Sequence, residues 1–102
     1  MKKTLISYRF SPDGDIYLDS YLQVEAYDPK FVAMALKLGE ESPLVQELRE
    51  ITAAIVAFKL RSRANMARTI LLNNDLTREE CEALVKILPP SRLKELSERG
   101  RI

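Results

Sequence analysis

The sequence predicts an α+β fold, in which an N-terminal β-hairpin is followed by a helical region with one long central helix and an αα-hairpin. Two observations support this prediction. Segments rich in β-branched and aromatic residues occur before position 27, and apolar residues at helical spacing occupy most of the chain after that position. Because the strands come first and the helices after them, the order is that of an α+β protein. We expect a single domain, 1–102, since a chain of 102 residues with 46% hydrophobic residues can enclose one core.

The hairpin is expected over residues 1–27, with its turn in the segment SPDGD. The ring of Pro12 sets a φ that suits a turn, and Gly14 accepts a positive φ. If Ser11 faces Asp15, the register of the whole hairpin is determined. The facing pairs are then Phe10 with Ile16, Tyr8 with Leu18, and Thr4 with Leu22. One face becomes largely apolar and the other largely polar, so the apolar face should lie on the helices or on another chain.

Four helices are expected after the hairpin, over residues 29–39, 43–73, 77–88 and 91–100. Pro29 and Pro43 suit the first position of a helix, and Gly39 suits the end of the first one. Thr77 and Glu80 have the spacing of a capping box, which indicates the start of the third helix. Two prolines then separate the third helix from the fourth.

The second helix is expected to be the longest, because no glycine or proline interrupts the chain from 44 to 72. Its apolar residues fall in one stripe, which includes Leu44, Leu48, Ile51, Ile55, Phe58, Met66 and Ile70. A helix of this length would measure about 45 Å, which exceeds the diameter of a compact domain of this size. One end should therefore overhang its own subunit and contact a second copy. The candidate interface residues are Leu48, Ile51, Ile55, Phe58, Lys59, Arg63 and Met66.

The segment FKLRSRANMAR within this helix carries four cations. With 100° per residue, Lys59 and Arg63 lie on or beside the apolar stripe, whereas Arg61 and Arg68 lie on the opposite side. A surface that binds along a phosphate backbone needs its cations on one face, which disfavours nucleic-acid binding by this helix. Lys59 and Arg63 leave a polar gap in the stripe. Either the stripe leaves the core at this point, or a carboxylate pairs with these cations.

The distribution of charge supports nucleic-acid binding as an alternative function. The net charge is only +1, but residues 1–50 carry −3, residues 51–102 carry +4, and no acidic residue occurs from 51 to 74. The candidate nucleic-acid-binding residues are Arg61, Arg68, Arg92, Lys94, Arg99 and Arg101. A helix-turn-helix is a weaker interpretation, because its second helix would present Glu79, Glu80 and Glu82 to the DNA.

Several classes of chemical site are disfavoured. The chain contains no histidine, which excludes Ser-His-Asp and Cys-His arrangements and histidine metal ligands. The segment DGDIYLD has aspartates at calcium-loop spacing, but Leu18 and Val24 stand where such a loop needs Gly and Glu. Cys81 lies on the apolar side of its helix and is expected in the core, although a helix N-terminus can also make a thiol reactive. We therefore expect no catalytic residue, no metal and no cofactor.

These observations favour a small non-enzymatic accessory or regulatory protein of bacterial or phage type, acting by protein–protein binding. Its partners would be a second copy of itself and an unidentified protein. The alternatives are a nucleic-acid-binding regulator that uses the basic second half and, less favoured, a phage virion or tail-assembly component. The single cysteine suits a reducing cytoplasm. Neither a signal peptide nor an apolar run of about 18–20 residues is recognisable, so we expect a cytoplasmic protein without a membrane partner.

Overall fold

The computed structural model describes residues 2–25, 29–39 and 41–99, apart from the side chains of residues 29, 31 and 99. The elements in chain order are β1 (Lys2–Phe10), β2 (Ile16–Glu25), α1 (Pro29–Lys37), α2 (Pro43–Ala64), β3 (Arg68–Leu72), α3 (Arg78–Ile87) and α4 (Pro90–Arg99). The three strands form an antiparallel sheet in the order β2-β1-β3. The predicted α+β class is confirmed, with an N-terminal hairpin, a long helix and a short helix pair at the end.

The hairpin turn forms where the sequence predicts it. The backbone N–H of Ser11 donates to the carbonyl of Asp15 at 2.8 Å, and Gly14 has a φ of +88°. The N–H of Asp15 also donates to the hydroxyl of Ser11 at 3.0 Å. The aspartates of this segment therefore belong to a turn. The pairing of Phe10 with Ile16 next to the turn is confirmed, as is that of Tyr8 with Leu18.

Beyond these pairs the register differs from the prediction. Ser7 pairs with Ser20 while Tyr8 pairs with Leu18, so Asp19 is an extra residue on β2. Thr4 consequently faces Gln23, and the expected pairing with Leu22 is wrong. Such a bulge redirects the side chains around it. The Asp19 carboxylate accepts hydrogen bonds from the Ser7 hydroxyl at 3.3 Å and from the Asn65 side chain at 3.4 Å, and these bonds connect both hairpin strands to the end of α2.

The helix expected over 43–73 ends at Ala64, and residues 68–72 form the strand β3. This strand pairs with β1, with Ile6 facing Ile70, and both side chains are completely buried. The prediction was wrong because pairing with the open edge of β1 outweighs the helical spacing of Met66 and Ile70, and the segment TILL also suits a strand. A helix over 43–73 therefore forms neither an αα-hairpin nor a helix-turn-helix with the helix over 77–88. The pair of adjacent helices in the structure is instead α3 with α4.

A left-handed residue ends α2 without glycine or proline. Met66 has a φ of +59°, and its N–H donates to the carbonyl of Arg63 at 3.0 Å. The next N–H, of Ala67, donates to the carbonyl of Ser62 at 2.7 Å. These two bonds form a Schellman motif, in which the left-handed position is usually occupied by glycine. The chain then turns directly into β3.

Met66→Gly should raise the free energy of unfolding by up to about 1 kcal/mol, because it removes the cost of a left-handed conformation for an L-residue. The Met66 side chain is 89% exposed, so little packing is lost. Ala64→Gly, in the last helical position, should instead lower stability by roughly 0.5–1 kcal/mol. Urea unfolding of the two variants measures these opposite signs. A loss of stability in both would contradict this account of the helix end.

The central strand β1 is buried on both faces. Ile6 and Tyr8 join a core cluster with Cys81, Val85 and Leu93 from α3 and α4. On the opposite face, Leu5 and Ser7 are also buried. The predicted polar face is therefore wrong in its centre. α2 contacts β2 and β3, and its last two turns bury Phe58 and Ser62. We infer that this helix covers the second face of the sheet.

The buried hydroxyl of Thr4 connects the sheet to the loop before α3. It donates to the carbonyl of Asn74 at 2.8 Å and accepts from the N–H of Leu76 at 3.1 Å. Its neighbour Gln23 donates to the Asp75 carboxylate at 2.7 Å. These bonds fix the path from β3 to the capping box of α3, in which Thr77 and Glu80 bond reciprocally as predicted.

Thr4→Val keeps the side-chain volume but leaves these two backbone groups of the loop without their partner. We expect a loss of about 1–3 kcal/mol in the free energy of unfolding. Thr52→Val is a matched control, because the Thr52 hydroxyl bonds only within its own exposed helical turn, to Leu48. Chemical denaturation measures the free energy of unfolding of both variants. Equal losses would show that the two hydrogen bonds of Thr4 stabilise the fold no more than the single bond of Thr52 within its helical turn.

Part of the helical region extends away from the sheet. The molecule measures 51 × 24 × 22 Å, and no side chain of α2 from 46 to 57 is buried. Val45, in the first turn of α2, is buried where that helix contacts α1. We refer to α1 together with residues 43–57 as the helical arm, and to the sheet with α3, α4 and the end of α2 as the body. In the part of the chain described, no helix combines the length and apolar character that a membrane crossing requires.

Candidate functional site

A cavity of about 920 Å³ with charged walls lies on the body, where α2, β3 and α4 meet. Four cationic side chains line it, and we call it the basic cavity; they are Lys59, Arg63, Arg68 and Lys94. The carboxylate of Glu98 and the hydroxyl-bearing residues Ser62, Thr69 and Ser97 also line it. Its charged side chains therefore carry a net charge of +3.

The strand β3 creates this cluster. On a continuous helix, Arg68 would lie opposite Lys59 and Arg63, as the sequence predicts. Because the chain leaves the helix at Met66 and returns as β3, Arg68 lies at the same cavity as these two residues. The expected exposed face shared by Arg61 and Arg68 is therefore wrong. Arg61 is exposed on α2 and does not line the cavity.

The other candidate nucleic-acid-binding residues are divided. Lys94 lines the basic cavity, whereas Arg92 lies outside it and forms an ion pair with Glu95 at 2.9 Å. The side chain of Arg99 and the whole of Arg101 lie outside the described part of the chain. The sequence did not indicate Thr69 or Ser97, because their position depends on β3 and on the direction of α4.

Arg68 lies next to a buried tyrosine. Tyr8 faces Arg68 across the sheet and is 1% exposed. Burial raises the pKa of the Tyr8 hydroxyl, while the charge of Arg68 and hydrogen bonds with the Arg68 and Ser97 side chains act in the opposite direction. The hydroxyl therefore remains protonated at neutral pH, and it lies near two groups that line the cavity.

Lys59 and Arg63 directly follow the buried residues Phe58 and Ser62 of α2. Lys59 is half-buried and Arg63 is exposed. Within residues 2–25, 29–39 and 41–99, neither forms an ion pair with a carboxylate, and the pairing expected for them is not found there. Glu98 is the acidic residue that shares their cavity. The stripe does not leave the core at the polar gap, because Phe58 and Ser62 are buried there, and the two cations lie at the edge of that buried contact.

The candidate interface residues fall into three environments. Leu48, Ile51 and Ile55 are half-buried on the helical arm, as is Lys59 at the cavity. Phe58 is 2% exposed and packs inside its own chain, so it is not available to a second copy. Arg63 and Met66 are exposed at the basic cavity. The three arm residues are thus the part of the predicted interface that remains accessible together.

An apolar groove of about 550 Å³ accompanies them on the arm, between α1 and α2. Its walls include Val32, Leu36, Val45, Leu48 and Thr52. Leu36 is 65% exposed, and the nearby Met34 and Leu38 are also exposed. An exposed apolar surface of this kind is typical of a contact with another protein.

Cys81 is a core residue, as predicted. It is completely buried in the core cluster, and burial raises the pKa of its thiol, with Glu80 and Glu82 acting in the same direction. The alternative of a reactive thiol at a helix N-terminus is therefore wrong. Among the residues described, no group of three or more Cys, Asp or Glu side chains is arranged to hold a metal ion.

No protein-family model, no curated protein and no solved structure matches this chain. The helical arm and the basic cavity are therefore the two features from which its function can be inferred.

Proposed function

We propose that this chain is a small non-enzymatic accessory or regulatory protein of the cytoplasm, which acts by protein–protein binding and forms a homodimer through its helical arm. The observation that carries the proposal is the apolar seam of α2, which is incompletely covered. Its members recur at alternating spacings of four and three residues and are Leu44, Leu48, Ile51, Ile55, Phe58 and Ser62. This is the spacing of a coiled-coil seam.

The two halves of the seam differ in burial. Phe58 and Ser62 are buried against the body. Leu48, Ile51 and Ile55 are only half-buried, and they lie on the arm. A single continuous stripe on one helix thus has a partner in its second half and lacks full cover in its first. A partner helix laid along the arm would complete it.

A second copy is the partner that this surface fits best. A two-fold axis places the same seam on both sides of a contact, so one surface suffices. The exposed side chains of Met34, Leu36 and Leu38 lie on or beside the other helix of the arm and would enlarge the apolar contact. Burial of apolar area stabilises a contact by roughly 25 cal/mol per Å². Two arms that pair are therefore favoured over two arms that remain exposed to solvent.

Sedimentation velocity of the full chain over a wide concentration range tests this proposal. The expected species is a dimer of the 11.7 kDa chain. A well-folded monomer at every workable concentration would disprove the dimer. For the further protein partner, affinity capture from the native host should retain a specific protein after nuclease digestion.

Nucleic-acid binding by the basic second half is the second candidate function. The observation in its favour is the placement of Arg68 and Lys94 beside Lys59 and Arg63 at one cavity. Retention on heparin that falls steeply with salt, together with tight binding to DNA at physiological salt, would support this function. Persistence of the protein contact after nuclease treatment would instead support the first candidate.

A further inference from the structure

The cations of the basic cavity differ from the paired cations elsewhere in the chain. Elsewhere a cation can have a neighbouring carboxylate, as in the ion pair of Arg78 with Glu82 at 3.2 Å and that of Arg92 with Glu95. In the part of the molecule that the structure describes, none of the four cations at the cavity forms such a pair. Side chains of one sign around a cleft focus the electrostatic potential and raise the local concentration of an oppositely charged ligand.

Arg68 lies at the cavity beside a rigid part of the core. It pairs with Tyr8 across the sheet, and Tyr8 is 1% exposed. The Arg68 guanidinium has five N–H donors in a planar fork, which can bond to a ligand. Arg63, on α2, and Lys94, on α4, approach the same space from other elements. Planar, bidentate recognition by arginine is typical of phosphate and carboxylate ligands.

The arrangement favours a compact anion over an extended strand. The volume of about 920 Å³ is within the range of small-ligand sites. The four cations converge on one space from three elements, whereas a surface that binds single-stranded nucleic acid carries its cations along a groove and adds aromatic stacking platforms. Among the described residues, no aromatic side chain lines this cavity. Several cations in one place match an anion with several negative charges.

We propose that the basic cavity binds a small ligand that carries two or more phosphate groups. Arg68 and Arg63 would donate to phosphate oxygens, and Lys59 and Lys94 would supply further charge. Glu98 is the acidic group among the described residues at the cavity and would oppose binding. This site is independent of the proposed dimer contact, since its residues lie on the body and those of the dimer contact on the arm.

Titration of the full chain with inorganic pyrophosphate, by calorimetry at constant ionic strength, tests the proposal. We expect saturable binding with one pyrophosphate per chain. Arg63→Gln should weaken it by about tenfold or more, because a charge-assisted hydrogen bond is lost. The matched control is Arg61→Gln, which makes the same change on the same helix outside the cavity and should leave the affinity within about twofold. Glu98→Gln should strengthen binding.

Three outcomes would overturn the proposal. The first is an absence of saturable binding at millimolar pyrophosphate, and the second is an equal loss in Arg61→Gln and Arg63→Gln. The third is binding of a single-stranded oligonucleotide without any binding of pyrophosphate, which would favour nucleic acid as the ligand. Far-UV circular dichroism checks the fold of each variant. Arg63 is exposed, so its variant is expected to fold normally even if Arg68→Gln disturbs the contact with Tyr8.

Discussion

Leu48→Asp and Ile55→Asp are each expected to convert the proposed dimer into a folded monomer. Both residues lie on the half-buried section of the α2 seam, and neither is among the buried residues of the body. In a symmetric dimer each substitution occurs twice, and every buried carboxylate costs several kcal/mol unless it is paired. The dissociation constant should rise by at least about 100-fold. Sedimentation equilibrium measures this change directly.

Ala53→Asp is the matched control for these two variants. Ala53 is exposed on the side of α2 opposite the seam, so the same charge is introduced into the same helix without entering the contact. The dimer should persist in this variant. If Ala53→Asp dissociates the dimer as strongly as Ile55→Asp, the seam is not the interface, and a general effect of charge on the arm would explain the result.

Phe58→Ala should produce the largest loss of stability of the substitutions considered for α2. Its ring is 2% exposed and lies where α2 packs on the body. Removal of a buried phenylalanine ring costs about 3–5 kcal/mol, because the apolar contact is lost and a cavity remains. Domains of this size are stable by only about 5–15 kcal/mol, so the midpoint of thermal unfolding should fall by roughly 15 °C.

Leu60→Ala provides the comparison for Phe58→Ala. Leu60 is two residues further along the same helix and is 59% exposed. Its truncation should change the free energy of unfolding by no more than about 0.5 kcal/mol. Both variants should be measured at one protein concentration, because the proposed dimerisation would make the apparent stability depend on concentration. Similar losses in the two variants would show that α2 is not anchored to the body through Phe58.

Local signals predicted much of this fold. The hairpin turn could be predicted because Pro12 and Gly14 suit its backbone angles, and the start of α3 because Thr77 and Glu80 form a complete capping box. These features depend on residues that are close in sequence. The bulge at Asp19 could not be predicted in the same way, since its partners Ser7 and Asn65 lie on other elements.

The strand β3 was missed because two periodicities coincide in a short segment. Met66 and Ile70 continue the helical stripe, while the segment TILL also suits a strand, and only the distant edge of β1 decides between them. The sequence did contain one sign that the second face of the hairpin is covered by another element. Leu5 and Tyr21 interrupt the expected polar face of the hairpin, and Leu5 is buried because α2 covers that face.

The basic cavity was only partly predictable for the same reason. The sequence shows the polar gap at Lys59 and Arg63, and it offers Arg68 and Lys94 as candidate nucleic-acid-binding residues. Their meeting at one cavity depends on the change from helix to strand after Met66. Helical geometry alone places Arg68 on the side opposite Lys59 and Arg63, so the prediction assigns these three residues to two separate surfaces.

The position of β1 in the middle of the sheet determines the order in which the chain can fold during synthesis. The hairpin is synthesised before β3, so one edge of its first strand has no partner until residues 68–72 have been made. Helix formation in the arm is local and fast, whereas closing the long loop between the outer strands is slow. A nascent chain that stalls before β3 therefore carries an open strand edge and an uncovered apolar face, the two features that lead to aggregation or chaperone binding.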